Sequence, residues 1–160
     1  GQAGATAGIG VAISESKGDQ WAIPVDNSMD ASPRRSSQRA ELLAAIEGLR
    51  RLSTAVADHF PRRFEGQRLY HRGLIIATDS EYVAKGVTEW FPAWKDNGWR
   101  NSQGASPANL DLSKSSMTTS LLSKRRYKME VGFWRIGREH NNKADSLAKL
   151  AARNAPPALS

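Results

Sequence analysis

Four apolar residues in a row, Leu74-Ile75-Ile76-Ala77, run straight into Thr78-Asp79-Ser80, and beyond them the apolar spacing turns helical through Val83, Gly86 and Val87. A short apolar run bounded by polar turn residues predicts a strand buried on both faces over 74–78. A short helix follows at 82–86. Upstream, Ile9, Val11 and Ile13 alternate with small residues, which predicts a strand over 9–13. A turn around Lys17-Gly18-Asp19 separates it from a second strand over 20–25, so the two read as a hairpin. Pro24 cannot donate to a ladder, so this second strand either ends early or lies at an edge. A polar loop at 26–36 leads into the clearest helix of the chain, over 38–53, which Ser36 or Ser37 can cap. Its apolar stripe is Leu42, Ile46, Leu49 and Leu52; beside it Glu41, Ala44, Ala45 and Gly48 share a face whose small residues allow close packing on a sheet.

The rest of the pattern is less regular. Residues 58–72 are aromatic and basic and read as loop or ragged helix end. Residues 109–122 have helical propensity despite many Ser and Thr. A strand over 128–136 sets Met129, Val131 and Phe133 on one face, and a helix over 142–153 carries Ala144, Leu147, Ala148 and Ala151 on one stripe. The tail, 154–160, is rich in Pro and Ala and reads as loose. No repeat is visible. Strands and helices interleave along the chain, as in an α/β domain.

Composition narrows the class. At 160 residues the chain is long enough for one domain with a real core. No stretch approaches the ~20 apolar residues of a membrane span. The opening residues carry no basic segment of the kind that precedes a secretory signal. There is no cysteine, hence no disulfide and no thiolate chemistry; an intracellular setting fits, whether nuclear, mitochondrial or cytoplasmic. The net charge of +7 and pI of about 10.1 point to a polyanionic partner, nucleic acid first. Arg34-Arg35, Arg50-Arg51, Arg62-Arg63 and Lys124-Arg125-Arg126 make that charge locally dense, although such runs also occur as ordinary solvated faces.

Three carboxylates stand out. Asp79 closes an apolar strand, the rim where open α/β sheets bind ligands, or else it caps the helix that follows. Glu41 lies beside the small-residue face of a helix, an unusual place for a solvated carboxylate; the structural alternative is a first-turn Glu favourable to the helix dipole. Asp145 stands three residues after Asn142, the spacing of a capping box. Trp90, Trp94 and Trp99 put three of the five tryptophans within one short polar segment. Interleaved with Lys and Arg they suit stacking on nucleic-acid sugars and bases; they also suit a small local core.

Taken together, Ala7-Gly8-Ile9-Gly10-Val11, Ser37-Gln38-Arg39-Ala40-Glu41-Leu42, Thr78-Asp79-Ser80-Glu81-Tyr82-Val83, the segment from Glu89-Trp90 to Ser102, and Asn141-Asn142-Lys143-Ala144-Asp145-Ser146-Leu147-Ala148 resemble a type 1 ribonuclease H domain. They occur in the family's order over nearly the whole chain. The Trp-rich insert resembles the basic protrusion of eukaryotic and fungal members that grips RNA/DNA hybrids. The resemblance implies a ribonuclease H-like α/β fold over 1–153, with a mixed central sheet flanked by helices, and an endonuclease that cuts the RNA strand of an RNA/DNA hybrid, leaving 3′-hydroxyl and 5′-phosphate. It implies two divalent ions, Mg²⁺ or Mn²⁺, roughly 4 Å apart, held by carboxylates of which Glu41, Asp79 and Asp145 match three; hard cations of this kind require oxygen ligands. By position, Ser37 and Gln38 fall on the minor groove of the hybrid, where 2′-hydroxyls mark the RNA strand. Arg34, Ser36 and Asn109 fall at a DNA-phosphate site, and Trp90, Trp94 and Ser102 along the DNA-strand channel.

The resemblance departs at two places. Family members begin with a central strand ending in Asp-Gly that bears the first metal-binding Asp, and this strand is absent here; Asp19, Asp26 and Asp30 come too late to replace it. The expectation is a chain lacking an N-terminal segment, or a strand supplied by another chain. If neither holds, the alternative is a catalytically inactive module that binds nucleic acid. After the last strand the chain is short, Trp134-Arg135-Ile136-Gly137-Arg138-Glu139-His140-Asn141, like the compact form of plant and retroelement relatives. His140 reads as a surface or helix-start residue rather than a catalytic one. Ser113 stands where the family commonly has a large apolar residue, which predicts a looser helix there.

Overall fold

The alternation Ile9/Val11 against Gly8/Gly10 builds the first hairpin. In the computed structural model, which describes residues 5–59, 72–127 and 129–158, strand β1 (Gly8–Ala12) pairs antiparallel with β2 (Gln20–Pro24), Gly8 opposite Pro24 and Ala12 opposite Gln20. A 3-10 turn at Lys17–Asp19 joins them, with the Ile13 amide donating to the Asp19 carbonyl at 2.9 Å. Pro24 ends β2, a strand with one hydrogen-bonded neighbour among the described residues.

The described chain forms two compact units, residues 1–44 with 136–160, and residues 45–135. In the first, β1 and β2 carry helix α5 (Asn142–Arg153) against the glycine face of β1. The approach is backbone to backbone. A methyl group on Gly8 would stand 2.5 Å from the Ala148 carbonyl oxygen, and one on Gly10 would stand 2.8 Å from the Ala148 nitrogen. Only glycine admits a helix this close. The opposite-facing Ile9 and Val11 are buried with Val25, Leu42 and Leu43. After α5, the Pro156 carbonyl accepts from Arg35 Nη1 at 2.6 Å, and the buried Ala158 donates its amide to the Ala5 carbonyl.

Helix α1 (Ser37–His59) is longer than its apolar stripe suggests and takes in Asp58, which reads as loop in the sequence. Ser36 is its cap, the hydroxyl accepting the Arg39 amide at 3.2 Å. Residues 60–71 of the aromatic-basic segment lie outside the described residues.

In the second unit, β3 (Arg72–Thr78) pairs in parallel with β4 (Met129–Arg135), Leu74 opposite Val131 and Ala77 opposite Trp134. Leu74 and Met129 form a core with Leu49 of α1, joined by Leu52, Val56, Ile76 and Val131. The expectation that β3 is buried on both faces fails: Ile75 is 62% exposed and Trp134 64%. Odd and even positions of a strand point to opposite faces, and here the even positions Leu74 and Ile76 alone are packed. Between β3 and β4 lie α2 (Glu81–Lys85), a π-helical turn (Gly86–Trp90), α3 (Phe91–Asp96) and α4 (Leu110–Tyr127). The π turn and α3 are not signalled by the sequence pattern.

Candidate active site

Asp79 follows directly on β3, and its side chain is half-buried. The helix after it is capped by its neighbour: Ser80 Oγ accepts the Val83 amide at 3.2 Å, and the Ser80 amide donates to Thr78 Oγ1 at 3.1 Å. Ser80, and not Asp79, is therefore the N-cap of α2. Beyond it, Glu81 Oε1 meets Lys85 Nζ at 2.6 Å and its Oε2 meets Arg135 at 3.5 Å. The Lys85 hydrogen bond and charge, followed by Arg135, hold the Glu81 carboxyl below its ordinary range, while Glu81 raises Lys85.

Glu41 sits in the second turn of α1, half-buried, next to the buried Leu42; the first turn of α1 holds no acidic residue, so a dipole role does not explain it. Asp145 lies in the first turn of α5, where the cap position, Asn141, makes no side-chain capping bond. The capping box expected between Asn142 and Asp145 is not formed: the Asn142 amide group turns back to the Glu139 carbonyl at 2.8 Å, and Asp145 Oδ2 takes Lys149 Nζ at 2.6 Å. Glu41 and Asp145 belong to the first unit and Asp79 to the second. Among the described residues there is no group of three or more His, Asp or Glu side chains placed to hold a metal ion.

The residues expected to touch nucleic acid separate by exposure. Arg34, Ser37, Gln38 and Ser102 are exposed; Ser36 is half-buried and occupied in capping. Trp90 and Trp94 are half-buried and engaged with other rings: Trp90 lies 5.9 Å from Tyr82 between ring centres, and Trp94 lies 5.3 Å from the fully buried Phe91. The insert thus contains the local core that its tryptophan density allows. Asn109, at φ 56°, donates from Nδ2 to the Tyr82 hydroxyl at 3.4 Å. Trp99, at φ 62°, has Lys114 Nζ 5.2 Å from its ring centre. His140 is exposed in a 3-10 turn beside Glu139.

The basic runs contribute less surface charge than their count suggests. Arg35 is buried on Pro156 and Asn27, and Arg39 is buried on Asp30. Arg50 and Arg51 both approach Glu47, at 3.9 Å and 2.9 Å, and Lys124 meets Glu130 at 3.4 Å. Arg62 and Arg63 lie outside the described residues. The burial of Arg35 and Arg39 leaves no trace in the sequence, since it depends on Asp30 and on a carbonyl more than a hundred residues away.

The ribonuclease H family profile matches residues 2–153. This chain belongs to the ribonuclease H family. A ribonuclease H of Hahella chejuensis is 36% identical over 125 residues, covering 75% of this chain and 69% of the relative; a ribonuclease H of Escherichia coli O9:H4 is 31% identical over 121 residues, covering 76% and 66%. The chain thus spans about two thirds of the length of these relatives. Among solved structures, a foamy viral protease-reverse transcriptase in complex with RNA/DNA hybrid superposes with a TM-score of 0.58 at 23% identity, over 86% of this chain and 16% of that one. The likeness is one of fold: a ribonuclease H-like α/β arrangement of sheet and flanking helices.

Ribonuclease H proteins generally depend on divalent metal. The residues of this chain fit such an ion in kind. Glu41, Asp79 and Asp145 offer only oxygen donors, the hard ligands Mg²⁺ and Mn²⁺ take.

Proposed function

We propose that this chain is an endoribonuclease acting on the RNA strand of RNA/DNA hybrids. Membership of the ribonuclease H family supports the activity, and the observation that carries it to this chain's own residues is Asp79: a half-buried carboxylate at the end of a sheet strand whose following helix is capped by Ser80 instead. The domain is residues 1–153, of type 1, with the segment from Trp90 to Ser102 serving as the basic protrusion of the eukaryotic and fungal forms.

Glu41, Asp79 and Asp145 supply carboxylate oxygens to two divalent ions, Mg²⁺ or Mn²⁺. When bound, such ions activate a water and stabilise the leaving 3′ oxygen of an in-line displacement. Gln38 and the Ser37 hydroxyl, exposed at the start of α1, bond to the minor groove of the hybrid, where 2′-hydroxyls mark the RNA strand. Arg34, with Ser36 and Asn109, takes a phosphate of the DNA strand; Trp90, Trp94 and Ser102 line its path.

A further strand belongs with this domain, supplied by a preceding segment or by another chain and bringing the family's first Asp. Two observations favour it. Among the described residues each sheet has two strands, which is marginal for an independent sheet. The β3–β4 pair is also parallel with one face open at Ile75 and Trp134, whereas parallel strands are normally covered on both faces.

The test is cleavage of an end-labelled hybrid in Mg²⁺ and in Mn²⁺, by the chain alone and with the additional strand present. Cleavage that vanishes in Asp79→Asn while hybrid binding persists supports the enzyme. Binding without cleavage in every form overturns it in favour of an inactive binding module.

A further inference from the structure

The loop between β2 and α1 is held by an ion pair that lies almost entirely inside the protein. Asp30 is 2% exposed. Its Oδ1 takes Arg39 Nη2 at 2.8 Å and its Oδ2 takes Arg39 Nε at 3.0 Å, a forked contact that fixes both distance and plane. Oδ1 also accepts the Ser32 amide at 3.0 Å. Arg39 is the third residue of α1, and its own amide is the one that Ser36 caps. One residue thus ties the first turn of α1 to the loop by backbone and side chain together.

Around this pair the loop is ordered in small steps. Asp26 Oδ1 accepts the amides of Ser28 and Met29, both at 2.9 Å, and the Asp30 amide donates to the Asp26 carbonyl. Arg35 points inward to Asn27 Oδ1 and the Pro156 carbonyl. The result is an alternation in which Asp30, Arg35 and Arg39 are buried while Arg34, Ser37 and Gln38 face solvent. Two cations are taken out of the surface field; Arg34, Ser37 and Gln38 stay outside, as do Asp26 and Ser28 earlier in the loop.

We propose that the Asp30–Arg39 pair is a positioning device that sets the minor-groove edge formed by Ser37 and Gln38 relative to the phosphate-binding Arg34, and so sets the preference for hybrid over duplex DNA. This rests on the nucleic-acid function proposed above. Phosphate contacts position a protein on a helix, while groove contacts discriminate. A loop and a helix start joined by a rigid fork keep the two kinds of contact in register. Loss of the fork leaves each contact residue present but frees their spacing.

The experiment measures equilibrium binding of a labelled RNA/DNA hybrid and of duplex DNA of the same sequence, without divalent metal. The unmutated chain is compared with Asp30→Asn and Arg39→Lys, each checked for its folded fraction by circular dichroism. Arg39→Lys keeps the charge and loses the fork, and it carries the test if Asp30→Asn does not fold. The expected result is a hybrid affinity lowered about tenfold with duplex affinity changed less than about twofold; Asp30→Glu recovers part of the preference. A merely structural role lowers both affinities equally, and that result, or unchanged preference in folded Arg39→Lys, overturns the proposal. If the unmutated chain shows no preference for hybrid, the proposed action on hybrids falls, and this proposal with it.

Discussion

Lys149 Nζ stands 2.6 Å from Asp145 Oδ2, one helical turn further along α5. The pair is partly solvated, with the lysine side chain 70% exposed, so it is readily opened. Exposed pairs at this spacing are worth about 0.3–0.5 kcal/mol. A divalent ion held by Asp145, as proposed, would therefore have a weak internal competitor. Lys149→Met is expected to lower the Mg²⁺ concentration for half-maximal cleavage about twofold, and to reduce unfolding free energy by about 0.3–0.5 kcal/mol in a denaturant titration.

Arg34 and Arg35 are adjacent in sequence and opposite in environment. Removing an exposed phosphate contact changes the salt dependence of binding, whereas removing a buried arginine changes folding. Arg34→Ala is expected to reduce the log–log salt slope of hybrid binding by about 0.9 with little change in melting temperature. Arg35→Ala is expected to lower the melting temperature and leave the slope of the folded protein unchanged. Equal slopes for both variants would contradict the assignment of Arg34 to a phosphate.

The contact between β1 and α5 leaves no room for a side chain. At Gly10 a methyl group would meet the Ala148 nitrogen at 2.8 Å, the Leu147 Cβ at 2.9 Å and, nearer still, the Ala144 carbonyl oxygen. Gly10→Ala should destabilise the protein by about 1–3 kcal/mol, the cost of overpacking a filled interface. Gly132→Ala, where nothing lies within 4 Å, is the control and should be far milder in thermal melts.

Two exposed carboxyls titrate low in the folded protein. The Ser28 hydroxyl, then the Met29 amide, lower Asp26 from 3.8; Lys85, then Arg135, lower Glu81 from 4.5. A depressed folded value means that the unfolded chain takes up the proton first. The stabilisation is therefore present above pH 3.8 for Asp26 and above 4.5 for Glu81, and is lost as pH falls through the depressed folded values. Denaturant midpoints followed into acid should decline in this window, and Glu81→Gln and Asp26→Asn should each flatten the decline.

Most of the framework was legible in the sequence because it rests on local periodicity. The α5 span of 142–153 agrees with its alanine stripe, and β1, β2, β3 and β4 fall within two residues of the alternating or apolar runs that announce them. The face of Met129, Val131 and Phe133 is the more buried one, as spacing requires. What local pattern could not carry was long-range. Whether Ile75 is covered depends on which elements pack on β3, and a four-residue apolar run reads the same with one face buried or two. Of the candidate site, Asp79 was visible as a strand-end carboxylate. That Ser80, and not Asp79, caps the next helix required coordinates. So did the inward turn of Arg35 and Arg39, because an arginine in a polar loop carries no mark of the buried aspartate or carbonyl it will meet.

The helix α4 is buried largely through hydroxyls. Ser113, Ser116, Thr119 and Ser123 lie inside; the first three return their hydroxyls to backbone carbonyls three or four residues back, and Ser123 shares a 2.9 Å bond with Ser53 of α1. Beside them the Ser120 hydroxyl is buried without a partner among the described residues; the face transfers little hydrocarbon out of water, and such back-bonding slightly weakens a helix. Native-state hydrogen exchange should therefore find a gradient within one unit. The amides of α4 open by local fluctuation at a lower free energy, while those of α1 around Leu49, packed on Leu74 and Met129, wait for global unfolding. Between these two helices, proteases acting on the native protein would then find their earlier transient target in the one bearing Lys114, the residue against Trp99.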